Sequence, residues 1–365
     1  MRKLFVVSLF LGLMVSIAFA QALIGAKAAG MGGAGVANVT DLAAAYYNPA
    51  ALMQSGVKAA EMKIALGAAY SQPDKLMEAI SKTTDPAKLL LDNYSNNLSF
   101  TGNLNGVVGL NVKNIGLSIL PFLRVDVNKP ANSVGGSVSG IGRYNGVLTL
   151  GTSLSLPGFP FGSLALGLNA KTITAYKGSI IANASLADPQ KSSGVKTIDS
   201  GSGMGFDLGV LTSIDLPMVS NFRVGLALRD LATSIKYSPK TQNAYIDQTT
   251  GQITTDAEVP GADYTVTEDS STVLGASAVI PGIGATLAGD IEMIKSDTNL
   301  HLGIEYPMLM GALLLRAGFA SGPNLSLTTI GTKINLPIFT LDAALISNAK
   351  NPDLNSAVVD INLGF

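Results

Sequence analysis

Beyond residue 20 the chain has no run of about 18 consecutive apolar residues, the length a membrane-spanning helix needs. Yet 47% of its 365 residues are hydrophobic and only 13% are charged. Average globular domains carry roughly 25% charged residues. With half that charge and a mean hydropathy of +0.36, the surface calls for surroundings other than water. A bilayer is the first candidate, helical bundles are excluded, and a chain that crosses without helices must pair its backbone between strands in a closed barrel.

The one long apolar run stands at the N-terminus. Arg2 and Lys3 precede Leu4–Ala20, and Ala18-Phe19-Ala20 puts small residues at a cleavage position, so residues 1–20 are expected to be a signal peptide. Cleavage after Ala22 is the alternative frame. Export of an apolar chain without inner-membrane helices points to the bacterial outer membrane, with outer-membrane lipid and the barrel-assembly machinery as partners. The chain has no cysteine and one histidine, His301, which excludes disulfides, thiolate metal sites and two-histidine motifs. No metal or cofactor is expected. The 24 basic against 25 acidic residues provide no field for nucleic acid.

Period-two alternation runs through most of the chain. Leu164, Leu166, Leu168 and Ala170 share one face while Ser163, Gly167, Asn169 and Lys171 take the other. Phe206, Leu208 and Val210 oppose Gly205, Asp207 and Gly209, and Phe222, Val224, Leu226 and Leu228 oppose Arg223, Gly225 and Arg229. Such segments predict strands near 58–70, 104–113, 115–127, 144–156, 163–176, 203–215, 222–230, 270–280, 284–294, 299–306, 311–319, 325–336, 338–347 and 356–365, fourteen in all. The fold class is therefore all-β, a transmembrane antiparallel barrel.

Alternate connections are short and turn-like: Lys113-Asn114, PGFPFG, LPMVSN, PGIG, Pro307 to Met310 and LPIF. The other set includes 71–103, 128–143, 177–202 and 231–269, long and polar, expected outside the cell if both termini are periplasmic. Within the first, DKLMEAISK and AKLLLDNY read as two short helices, and 231–269 reads as an external hairpin. The last segment aligns Ala357, Val359, Ile361, Leu363 and Phe365 on one face, with Phe365 read as a barrel-assembly signal.

Residues 21–56 separate the signal from the barrel at 57–365 and are rich in small side chains. Gly30-x-Gly32-x-x-Gly35 has the spacing of a dinucleotide fingerprint but lacks its flanking strand, helix and acidic residue, so nucleotide binding is not expected. This glycine-rich lead, with Asp41, Ala43 to Ala45 and Asn48-Pro49-Ala50-Ala51-Leu52, resembles the N-terminal segment of FadL-type outer-membrane proteins, the long-chain fatty-acid transporters and their PorV-like relatives. His301-Leu302-Gly303-Ile304-Glu305-Tyr306 and Leu315-Arg316-Ala317-Gly318-Phe319 also resemble segments of those relatives. The resemblance implies a 14-stranded barrel, a small N-terminal hatch in the lumen carrying Asp41, Asn48, Pro49 and Ala50, and hydrophobic ligands arriving from outside. A turn leading into the first strand is the alternative place for Asn48 and Pro49.

Alternation places Lys63, Arg124, Lys171, Asp207, Arg223, Arg229, Asp290, Glu292, Glu305, Arg316, Asp342 and Asp360 inside, a balanced set expected to pair rather than to form a one-sign selectivity ring. Leu120, Phe122 and Leu314 also face inward, so Leu120, Phe122, Arg124, Leu314 and Arg316 are the candidate ligand or lumen residues. His301 shares its face with Gly303 and Glu305 and has no serine beside it to activate, so no catalytic residues are expected. The leading expectation is hatch-gated passive diffusion of hydrophobic or amphiphilic, fatty-acid-like molecules. The alternatives are a PorV-like barrel that holds an exported protein, and a mainly structural barrel.

Overall fold

The computed structural model describes residues 23–53, 60–70, 98–130, 135–155, 161–183, 193–247, 252–350 and 355–364. The expected signal peptide, the helical pair at 71–97 and Phe365 lie outside these residues. Among them, no helix is long and apolar enough to cross a membrane.

Fourteen antiparallel strands close into a barrel. The first seven are β1 (Ala60–Tyr70), β2 (Leu98–Val112), β3 (Ile115–Lys129), β4 (Gly136–Ser155), β5 (Phe161–Asn183), β6 (Ser193–Leu216) and β7 (Val219–Asp247). Three short strands, β8 (Gln252–Thr255), β9 (Val259–Pro260) and β10 (Tyr264–Thr267), return along the upper part of β7 and make the expected hairpin. The wall resumes with β11 (Ser271–Val279), β12 (Thr286–Ile294), β13 (Asp297–Met308), β14 (Leu313–Gly322), β15 (Leu325–Asn335), β16 (Phe339–Asn348) and β17 (Ser356–Gly364). Pairing of Ile64 with Ile361 and its neighbours joins β1 to β17 and leaves the barrel without an open edge.

Every strand expected from alternation is present. Large apolar side chains such as Leu166, Leu168, Leu302 and Ile361 are exposed on the outer face while Lys171, Asp207 and Asp360 are buried on the inner one, as a lipid-facing wall requires. The strands differ from expectation in length. Much of 128–143, 177–202 and 231–269, expected as connections, belongs to β3–β7 and to the short return strands. Hydropathy marks only the belt that faces lipid, whereas ladder hydrogen bonds between Ser-, Thr- and Gly-rich segments continue beyond it.

Inside the barrel lies the hatch, residues 23–53, almost wholly buried. It contains α1 (Ala26–Gly30), α2 (Ala44–Tyr47) and a 3-10 turn at Pro49–Met53. Val39, Leu42, Tyr47, Leu52 and Met53 pack with Ala65, Val107, Leu120, Val147, Ala165 and Leu211 of the wall. Close approach depends on a belt of inward-facing glycines. A β-carbon at Gly167 would fall on the Pro49–Ala50 peptide, at Gly209 on the Asn48 side chain, at Gly303 on Met31 and at Gly318 on the Met31–Gly32 peptide. Gly32 itself has φ +68, which side-chain-bearing residues rarely adopt, and presses on the Phe319 backbone. The Gly30-x-Gly32-x-x-Gly35 spacing therefore serves packing between hatch and wall.

Candidate functional site

A segment with so little regular structure leaves many backbone groups for other partners to satisfy. The wall supplies them from all sides. Asp360 of β17 accepts from Ala26 N at 2.7 Å, Thr329 of β15 from Gly32 N at 3.0 Å, and one oxygen of Asp290 on β12 from Gly35 N at 2.7 Å and Val36 N at 2.9 Å. Ser277 of β11 donates to Ala37 O at 2.9 Å, and Asn169 of β5 to Ala45 O at 2.6 Å. His301 Nδ1 lies 2.8 Å from Gly32 O. A carbonyl only accepts, so this nitrogen carries the proton. The lone histidine thus holds the hatch.

Asn48 sits in the lumen rather than in a turn entering β1. It is fully buried, donates through Nδ2 to Val36 O and Val210 O at 3.1 Å each, and accepts Ala50 N at 3.1 Å. Pro49 starts the 3-10 turn and Ala50 is buried against Gly167. Asp41 accepts Ala43 N at 2.9 Å and meets Lys63 of β1 at 2.8 Å. Asn48→Leu is expected to strand Val36 O and Ala50 N in a dry site and to cost about 1–3 kcal/mol in reversible urea unfolding. A change within about 0.5 kcal/mol, typical of a surface substitution, would remove Asn48 as a seat.

The lumen charges form compact groups. Lys63 bridges Asp41 and Asp360, each at 2.8 Å. Arg316 is shared by Glu305, at 2.6 Å, and Asp342. Lys171 contacts Asp207, at 2.6 Å, and Asp230, while Arg229 contacts Glu292. Arg223 stands apart from these groups near the short-turn end, where it donates to Asn221 at 3.1 Å.

Above the hatch, toward the long connections, opens a cavity of about 400 Å³. Ala45 and Tyr46 of the hatch form its floor. Leu120, Arg143, Asn145, Lys171, Asp207, Arg229 and Glu292 line the wall, with Val266 to Asp269 along the rim. Arg143 pairs with Glu268 across it. Among the described residues no three acidic, histidine or cysteine groups have metal-holding geometry.

The candidate ligand residues do not converge. Leu120 lines this cavity, whereas Phe122 lies further along β3 and Arg124 beyond it pairs with Asp126 at 2.9 Å. Leu314 and Arg316 are on β14, where Leu314 is half-buried opposite Pro307 and Lys333 and Arg316 lies under Gly30. Parity names a face and says nothing of height or of position around the barrel.

Several lining residues escaped the sequence. Arg143 falls one residue before the predicted start of β4, yet has the parity of Asn145. Asp230 comes directly after the inward Arg229 and should point outward. Instead β7 bulges, with positive φ at Asp230 (57) and Ala232 (50) and register shifts against β6. An extra residue in one strand re-aims the side chains beyond it, and Asp230 turns inward to Lys171.

No family profile and no curated protein sequence matches the chain. Several solved structures do. The Ralstonia pickettii toluene transporter TbuX superposes with a TM-score of 0.59 at 12% identity, over 95% of this chain and 100% of its own. The P. putida toluene transporter TodX gives 0.58 at 11%, over 93% and 98%. The monoaromatic hydrocarbon channel CymD gives 0.56 at 14%, over 95% and 99%. At these identities the likeness is one of fold, the barrel of FadL-family hydrocarbon transporters that the Asn48-Pro49-Ala50 region resembles.

Proposed function

We propose that this protein passes hydrophobic or amphiphilic small molecules across a bacterial outer membrane, with the cavity above the hatch as the capture site and displacement of the hatch as the gate. The observation that carries this reading is a lumen closed by the chain's own N-terminal segment beneath a cavity with both apolar and polar lining. The cavity is within the range of small-molecule sites, about 300–1,000 Å³. Tyr46, Leu120, Val266 and Ile294 offer an apolar body contact. The fold shared with toluene and monoaromatic hydrocarbon channels supports a ligand of this class. Passage needs no ATP, since downhill diffusion through a protein path supplies its own direction.

Deleting residues 23–52 is expected to open the barrel, raising uptake of toluene and of small hydrophilic solutes into proteoliposomes while strands still form. Uptake of both unchanged from the full chain would remove the hatch from the mechanism.

A further inference from the structure

We infer that the cavity above the hatch accepts amphiphiles whose polar end is neutral or cationic and turns carboxylates away. This rests on the transport reading and refines its substrate class.

The charged lining is lopsided. Among the described residues three cations, Arg143, Lys171 and Arg229, face five acids, Asp207, Asp230, Glu268, Asp269 and Glu292. Each cation is already engaged: Arg143 by Glu268, Lys171 by Asp207 and Asp230, Arg229 by Glu292. Lys295 meets Asp269 at 2.9 Å from the exposed side, and counting it still leaves the acids ahead. A carboxylate arriving here must break an existing pair and strand its acid, or sit unpaired among like charges, and both are unfavourable in a partly dry site.

One buried acceptor beside the cavity has the same sense. A second, smaller pocket of about 20 Å³ adjoins the cavity, sharing Tyr46, Arg229 and Glu292 with it and reaching Asp290 and His301. Asp290 is 3% exposed; one carboxylate oxygen takes the Gly35 and Val36 amides, and the other, Oδ1, has no protein partner. Including Asp290 and a protonated His301, six acids still face five cations. The space suits one water or the polar end of a ligand. A hydroxyl or an ammonium brings the donor that Asp290 lacks; a carboxylate brings only acceptors. Leu120, Val266, Ile294 and the Tyr46 ring take the apolar body.

The test compares 1-octanol, octylamine and octanoate at pH 7 on the purified full-length barrel, with binding taken as the part lost in a Leu120→Trp variant that fills the cavity. Octanol and octylamine are expected to bind at least about tenfold more tightly than octanoate, a factor large enough to stand clear of measurement scatter. Glu268→Gln, which removes the acid partner of Arg143, is expected to narrow the gap, and Asp290→Asn, which puts an amide donor beside the acceptor, to narrow it further. Octanoate binding as tightly as the other two would overturn this inference and leave transport standing. Failure of all three to bind, together with no uptake of toluene, would overturn the transport reading and this inference with it.

Discussion

Arg316→Ala is expected to destabilise the barrel by about 3–5 kcal/mol, the cost of breaking a buried ion cluster by removing one member. The guanidinium is fully buried between Glu305 and Asp342, with Lys333 at 3.9 Å from Asp342 and Lys27 of the hatch near Glu305 as further cations. Its removal leaves two carboxylates without their shared counter-ion in a site water does not reach freely. Reversible urea unfolding in detergent measures the loss. The triple change Arg316→Met, Glu305→Gln, Asp342→Asn is expected to recover part of it, because the two carboxylates are then no longer stranded, although Lys27 and Lys333 each lose an acidic neighbour. A single-variant loss below about 1 kcal/mol, the range of exposed pairs, would show that the cluster is hydrated and structurally minor.

Gly318→Val and Gly167→Val are expected to unseat the hatch. At both positions the added β-carbon meets hatch backbone, the Met31–Gly32 and Pro49–Ala50 peptides, so no side-chain rotation relieves the collision. Overpacking of this kind costs about 1–3 kcal/mol or more. It falls on the contact between hatch and wall, not on the wall's own ladder. The expected results are normal strand content, higher permeability to small hydrophilic solutes, and proteolysis within residues 23–53. Gly178→Val is the control, since a β-carbon there comes no closer than 3.8 Å to the nearest atom, Thr197 O. Permeability and proteolysis in both variants equal to that control would mean that the hatch is not held by this belt.

The contrast between these substitutions and their control has a simple physical origin. Gly167, Gly178 and Gly318 look alike in sequence. Only the first and last touch the hatch, because the hatch crosses the lumen at one height and Gly178 lies above it on the long-connection side. The dinucleotide-like spacing is a similar case: Gly30, Gly32 and Gly35 are spaced by the demands of the Gly331 backbone, the Phe319 backbone and the Tyr47 ring.

The wall is the part that the sequence determined by itself. Its fourteen strands and their inward and outward faces arise from period-two hydropathy and turn residues, which are local properties that each segment carries alone. Inward placement of the charges of β5, β12 and β14 was legible for the same reason. The tertiary structure alone decided which inward side chains meet: Arg316 with Glu305 and Asp342, Lys63 with Asp41, and Tyr46 of the hatch with Arg229 of the wall. Parity leaves height and angle around the barrel open, and these depend on strand register, which pairing across the closed sheet sets. The bulge that turns Asp230 inward and the strand extensions beyond the lipid belt are decided there too, by hydrogen bonds between strands distant in sequence.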